Sequence, residues 1–171
     1  MAINKFEKPQ GPVLSRIIKD CDDFDIVIKP AFNKNSYFIT IPEQVGNERA
    51  YLGIFIKYST KRLSPWKFSI YKSEQEELEL FEKHCGKAFL ILVCGNDGIA
   101  ALNFDQLKEV LDDNYDDVEW ISAERRLKQE YRIRGSDGTL SRKIPPGLFP
   151  AKIKSELEKL KTERGKKFFF F

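Results

Sequence analysis

Two continuous apolar runs dominate the pattern of hydrophobic and polar positions, residues 51–60 (YLGIFIKYST) and 87–94 (KAFLILVC). Each is apolar on both faces of a period-two repeat and too short to cross a bilayer as a helix, so both read as strands buried on each side. Between them the period changes. A short strand at 67–71 precedes Ser73 with Glu76 three places on, the spacing of a capping box. Leu78, Phe81 and Cys85 then recur at helical spacing, Glu79 and Lys83 stand four apart, and Gly86 is placed to stop the helix. The pattern predicts a helix over 74–85, and a buried strand, a helix and a second buried strand imply a parallel crossover.

Upstream, Leu14, Ile17, Ile18 and Cys21 form one stripe, which predicts a first helix over 12–20 with Pro12 at its opening position. Residues 24–31 and 37–41 predict strands joined through the turn Asn33-Lys34-Asn35, so three strands, meandering and antiparallel, precede the second helix. After the second apolar run, the turn at 95–98 leads to a strand at 99–102, and Asn103 can cap a short helix that ends near Asp112. Strands at 118–123 and 131–134, a turn at 135–138 and a returning strand at 139–144 follow. A stiff connector containing Pro145, Pro146 and Pro150 enters a last helix over 151–164, with Gly165 at its end and phenylalanine at 168–171.

The fold class expected is α+β with an α/β core: a mixed sheet flanked by helices, with an added C-terminal β-hairpin and helix. Residues 1–111 form that core, 112–150 a basic hairpin extension packed on the same domain, and 151–171 a basic amphipathic helix with a phenylalanine tail.

Composition sharpens this reading. With 171 residues and 42% hydrophobic positions, one domain with a substantial core is the default. A single histidine, His84, and three cysteines, Cys21, Cys85 and Cys94, without CxxC spacing argue against a Cys/His zinc centre and fit reduced thiols in a cytoplasmic protein. No secretory leader or membrane span is expected at the N-terminus. No GxGxxG, P-loop, GxSxG or HExxH pattern is present, which removes the corresponding nucleotide, hydrolase and zincin readings.

The net charge of +3 hides a partition, because residues 105–119 hold seven acids and one lysine, whereas 120–171 hold 14 basic and six acidic residues. Such asymmetry predicts an anionic partner for the basic part. On 131–134, Tyr131 and Ile133 face the core while Arg132 and Arg134 face away. With Arg125, Arg126, Lys128, Arg142 and Lys143 nearby, and Lys61, Arg62 and Lys67 earlier in the chain, they form a candidate phosphate-binding surface. Trp66 and Trp120 add stacking surfaces if they are exposed. A solvated hairpin satisfies the same pattern.

Lys57 interrupts the first apolar run, and a charge there must reach water, a counter-charge or a ligand. A helix, a three-strand meander whose last member ends in lysine, a helix opening with Gln75 and a buried strand together resemble the restriction-endonuclease-like fold. This is the PD-(D/E)xK nuclease superfamily, which includes archaeal Holliday-junction resolvases, and the resemblance runs over residues 12–111. In that family an acid opens the second strand, an acid and a lysine lie two apart on the third, and a polar residue, often Gln, opens the next helix. The resemblance implies Lys57 and Gln75 as catalytic candidates, and it puts Phe55 at the second carboxylate position and Ser36 or Tyr37 at the first.

Catalysis in the family implies Mg2+ held by carboxylates, and the nearest substitutes here are Asp20, Asp22 and Glu48, with Asp25 and Glu43 beside them. The function implied is therefore nucleic-acid binding, DNA ahead of RNA, on a nuclease fold without catalysis or with a remodelled site. Two alternatives stand beside it: a Mg2+-dependent endonuclease with a relocated acid, and a protein-interaction subunit in which 105–119 meets the basic tail of a partner or of a second copy in a homodimer. Lys57 as a strand-end lysine reaching water, and Gln75 as a surface residue at a helix start, remain the plain readings of those positions.

Overall fold

The computed structural model describes residues 10–23, 25–41 and 51–168. Because the two apolar runs must hide both faces, they lie side by side in the middle of the protein as β3 (Tyr51–Ser59) and β5 (Gly86–Cys94), parallel and in register from Tyr51 opposite Gly86 to Ser59 opposite Cys94. β1 (Val27–Pro30) and β2 (Ser36–Thr40) extend the sheet antiparallel on the β3 side, and β6 (Gly98–Asn103) does so on the β5 side, giving the order β1-β2-β3-β5-β6. The meander and the parallel crossover are both present.

A second sheet, of order β4-β7-β8-β9, is assembled from β4 (Trp66–Tyr71), β7 (Val118–Glu124), β8 (Arg132–Gly135) and β9 (Gly138–Thr139), all antiparallel. Thus β4 leaves the sheet of its chain neighbour β3 and pairs with a segment some fifty residues later. Among the described residues four helices complete the mixed α+β architecture: α1 (Gln10–Asp20), α2 (Lys72–Cys85), α3 (Phe104–Val110) and α4 (Phe149–Phe168). No described helix is long and apolar enough to cross a membrane.

Strand alternation sorts the core into two layers. Leu52, Ile54 and Ile56 of β3 join Phe89 and Ile91 of β5 against Val13 and Ile17 of α1 and Ile153 and Leu157 of α4. On the other side Phe55, Leu90 and Leu92 pack with Leu78 and Phe81 of α2, Leu107 and Val110 of α3, and the inner face of the second sheet, Trp66, Phe68, Ile70, Ile121 and Ile133. The first sheet is therefore sandwiched, and the second sheet closes the α2 and α3 side. Close approach at Gly53 makes this possible, since a Cβ there would lie 2.3 Å from the Phe81 ring. Gly135 does the same for the second sheet, where a Cβ would meet the Val110 carbonyl oxygen at 2.4 Å.

Several boundaries differ from expectation. α2 starts at Lys72, not after Ser73, because the box is closed two residues earlier: Glu74 is at N3 and its carboxylate accepts the Tyr71 N–H at 2.9 Å. Residues 139–144 do not form a continuous strand; β9 is two residues long, and pairing resumes only where Tyr131 bridges Ile144. α4 begins at Phe149, which is buried, and runs through Gly165 to Phe168. A glycine inside a helix costs only about 1 kcal/mol relative to alanine, too little to end it. Phe169, Phe170 and Phe171 lie outside the described residues.

Cys21 and Cys94 are free, buried thiols. Burial pushes them up to about 11 and about 12 respectively, so both are protonated at neutral pH.

Candidate functional site

Gly53, Phe55 and Lys57 share the face of β3 that looks at α2, and on β2 the register sets Ser36 directly opposite Phe55. α2 turns Glu74, Glu77, Leu78 and Phe81 toward this face, at the spacing that puts residues on one side of a helix. Two polar ties result. Lys57 Nζ lies 2.9 and 3.0 Å from the two carboxylate oxygens of Glu74, and 5.4 Å from the centre of the Tyr71 ring. The Ser36 hydroxyl donates to Glu77 Oε1 at 2.6 Å. Lys57 thus satisfies its charge with a counter-charge from the next helix.

The resemblance implies Mg2+ between carboxylates at 36 or 37 and at 55, and the residues present do not fit that ion. Phe55 is 0% exposed and belongs to the apolar core. Ser36 has its hydroxyl on Glu77, and Tyr37 turns to the opposite layer, where its hydroxyl donates to Gln10 Oε1 at 2.5 Å. Glu74 and Glu77, the acids that do reach this face, are committed to Lys57, the Tyr71 N–H and Ser36.

Burial raises the Glu77 carboxyl above its ordinary range, against the hydrogen bonds from Ser36 and from the backbone of Phe32 and Asn33. A raised carboxyl favours the protonated folded form, so it weakens the fold as pH climbs from the unfolded-state value through the folded one. The difference in unfolding free energy between Glu77→Gln and wild type should therefore move in the variant's favour over that range. Urea unfolding from pH 4 to 7 checks this, and a difference independent of pH counts against it.

Gln75 is not a surface residue. It is 1% exposed and points to the second sheet, where its amide nitrogen donates to Glu119 Oε2 of β7. Lys57 and Gln75 therefore engage different acids. Glu119 in turn stands with Asp112 and Asp137, one carboxylate oxygen of each within 4.8 Å of the others. Burial, with Asp137 and Asp116 adding repulsion, holds the Glu119 carboxyl above its usual range despite the Gln75 hydrogen bond.

Asp20 and Asp22 sit at the end of α1, a helix that packs on the opposite face of the first sheet from Lys57, and Asp25 is exposed just beyond. Glu43 and Glu48 lie outside the described residues. Among the described residues the acids that converge in a group of three are Asp112, Glu119 and Asp137. In the sequence, Asp112 belongs to the acidic loop 112–117, which reads as a solvated linker with calcium as an alternative, whereas Glu119 and Asp137 carry no ligand signal and Asp137 comes from a turn far along the chain.

The basic residues assemble on the second sheet. Along β4, Lys67, Ser69 and Tyr71 are exposed in alternation with buried Trp66, Phe68 and Ile70, and along β8 Arg132 and Arg134 alternate with Ile133 in the same way. Register places Lys67 opposite Ser122, and Ser122 opposite Arg134, in one row across the sheet. Trp120, half-buried on this outer face, has Lys67 Nζ 5.1 Å from its ring centre. Glu124, opposite Arg132, is the acid on this face.

The chain matches no protein-family model and no curated protein. Among solved structures it is similar to Hjc, a Holliday junction resolvase from the archaeal hyperthermophile Archaeoglobus fulgidus, at 16% identity and a TM-score of 0.39, over 74% of this chain and 85% of that one.

The remaining basic residues are divided between loops and internal ties. Lys61 and Arg62 before β4, and Arg126 and Lys128 after β7, are exposed in loops that touch, the Arg125 N–H donating to Ser64 Oγ at 3.2 Å. Arg142 and Lys143 are exposed between β9 and Ile144. Trp66 is buried, with its indole N–H on the Lys61 carbonyl at 2.9 Å, so it offers no stacking face. The Arg125 guanidinium is engaged internally, lying 2.5 and 3.0 Å from the two carboxylate oxygens of Asp97 in the β5–β6 turn.

Proposed function

We propose that this chain binds single-stranded nucleic acid on the outer face of its second sheet, and that it does not cleave through the family's two-carboxylate site. The observation that carries the reading is that Lys67, Arg132, Arg134 and the half-buried Trp120 share the outer face of the second sheet, with Lys67 over the Trp120 ring and Arg134 in the same cross-strand row as Lys67. An open sheet face that carries cations and an aromatic ring suits a strand whose bases are unpaired, because phosphates pair with the cations while a base stacks on the ring. Lys61, Arg62, Arg126 and Lys128 at the neighbouring loops, with Arg142 and Lys143, extend the cationic track, whereas Arg125 is held by Asp97.

The test is fluorescence anisotropy of labelled single-stranded DNA, single-stranded RNA and duplex DNA over a salt series with Mg2+ present, the probes being checked for cleavage afterwards. The expected result is salt-sensitive binding of single strands in preference to duplex, without cutting. In Lys67→Ala/Arg132→Ala/Arg134→Ala the slope of log affinity against log salt should fall by about 2, at roughly 0.7 per phosphate neutralised on a single strand. Trp120→Ala should weaken binding by about 1–3 kcal/mol. Undiminished affinity in the triple variant removes the sheet face from the reading. Metal-dependent cleavage that disappears in Lys57→Ala would put the nuclease alternative in its place.

A further inference from the structure

Three carboxylates from three separate stretches of chain meet where the end of α3, the start of β7 and the β8–β9 turn come together. Asp112 follows α3, Glu119 is the second residue of β7, and Asp137 lies in the turn. One oxygen of each falls within 4.8 Å of the others, a spread that one cation with metal–oxygen distances of about 2.3–2.6 Å can span. The backbone builds this arrangement: the Asp137 N–H donates to the Val110 carbonyl at 3.0 Å, and the Asp112 N–H donates to Asp137 Oδ2 at 2.9 Å.

Independent of that grouping, two buried oxygens at the same place lack a partner. Glu119 is 4% exposed and Gln75 1%, and the Oε1 atom of each has no hydrogen-bond donor, although Gln75 Nε2 reaches Glu119 Oε2. An unpartnered carboxylate oxygen inside a protein is costly. Among the described residues no lysine or arginine forms an ion pair with Asp112, Glu119 or Asp137; the nearby Lys108 is 3.1 Å from Asp113 instead. Asp112 and Asp137 are exposed, which leaves an entry path and room for water ligands.

We propose that Asp112, Glu119 and Asp137 form a site for a hard divalent cation of the calcium and magnesium class, with Gln75 orienting the buried Glu119 carboxylate. All-oxygen donors select such ions over zinc or copper. The site is separate from the Lys57 face and from the outer face of the second sheet. It joins α3, the second sheet and, through Gln75, the first turn of α2, so a bound ion stabilises the association of these elements.

The experiment is calorimetric titration of the full chain with Ca2+, Mg2+ and Mn2+, each alone at constant ionic strength and without nucleic acid, paired with thermal unfolding in the same solutions. Expected is saturable one-site binding of at least one of the ions together with a rise in Tm. Asp112→Asn/Asp137→Asn, both at exposed positions, should weaken binding about tenfold or more, the scale on which metal sites respond to altered ligation. Glu119→Gln should lose binding and raise the Tm of the ion-free protein, a combination that a merely damaged fold does not produce. Asp22→Asn/Asp23→Asn, at the end of α1, should bind as wild type does. Absence of saturable binding at millimolar concentrations of all three ions, or unchanged affinity in Asp112→Asn/Asp137→Asn, overturns the site and leaves the nucleic-acid reading untouched.

Discussion

Phe55→Glu, the single change that would put an acid where the nuclease pattern has one, is expected to destabilise the protein by about 4 kcal/mol or more, a large share of the 5–15 kcal/mol typical of a domain. Phe55 is fully buried among the apolar residues between the two sheets, with Ser36 and Leu90 as its lateral neighbours. Removing a phenylalanine from such a place costs about 3–5 kcal/mol through lost packing alone. The introduced carboxyl must also be desolvated, and the lysine two residues on is already paired with Glu74. Phe55→Leu, which keeps the position apolar, should cost less than about 1.5 kcal/mol. Urea unfolding of the two variants gives the comparison, and a wild-type midpoint for Phe55→Glu would refute the placement of Phe55. An acid at position 55 would therefore stand in core packing, where it is costly to desolvate.

The second large effect is expected at Asp97, whose carboxylate ties the two sheets together. It receives both arms of the Arg125 guanidinium and, at 2.6 Å, the hydroxyl of Tyr131, a residue buried between the sheets. Arg125 also lies 5.1 Å from the centre of the Tyr131 ring. Asp97→Ala leaves a buried hydroxyl and a cation without their acceptor, and should cost about 2–3 kcal/mol, below the range for a fully buried pair because the Asp97 side chain is 25% exposed. Tyr131→Phe, which removes one hydrogen bond and keeps the ring, should cost about 1 kcal/mol.

The pH dependence separates this tie from a packing defect. Burial works against the ionised Asp97 carboxyl, yet the hydrogen bonds from Arg125 and Tyr131 prevail and hold it below the ordinary aspartate value. Its contribution is thus present above the unfolded-state value and fades as pH falls through the folded one. The gap between wild type and Asp97→Ala should narrow from pH 7 to pH 3. A gap that stays constant would assign the loss to packing.

What could be read from the sequence followed from local pattern. The apolar runs now seen as β3 and β5 announced themselves as buried strands, and the helix between them forced the parallel pairing. The outward direction of Arg132 and Arg134 was legible from simple alternation with Tyr131 and Ile133. Long-range pairing was not legible. Nothing near Trp66–Tyr71 says that this strand seeks Val118–Glu124 rather than its neighbour in the chain, and so the meeting of Lys67 with Trp120 had no local sign. Lys57 declared that its charge needed water, a counter-charge or a ligand, but Glu74 was hidden by the stronger-looking Ser73 and Glu76 capping pair. Glu77 gave no sign of burial, and Gln75, picked out only by the resemblance, read otherwise as a surface amide at a helix start. Only the approach of β7 to one and β2 to the other reveals that both are buried.

The exchange of β4 between layers governs how the protein can be divided. β4 lies in sequence between two elements of the first sheet's layer, β3 and α2, yet it pairs with β7, more than forty residues beyond its own end. A single cut between 111 and 118 would separate β4 from its hydrogen-bonding neighbour and bare the inner side of Trp66, Phe68 and Ile70. The two sheets are therefore interlaced along the chain: the second sheet is not a contiguous stretch of sequence, and moving or replacing it carries elements of the first sheet's layer with it.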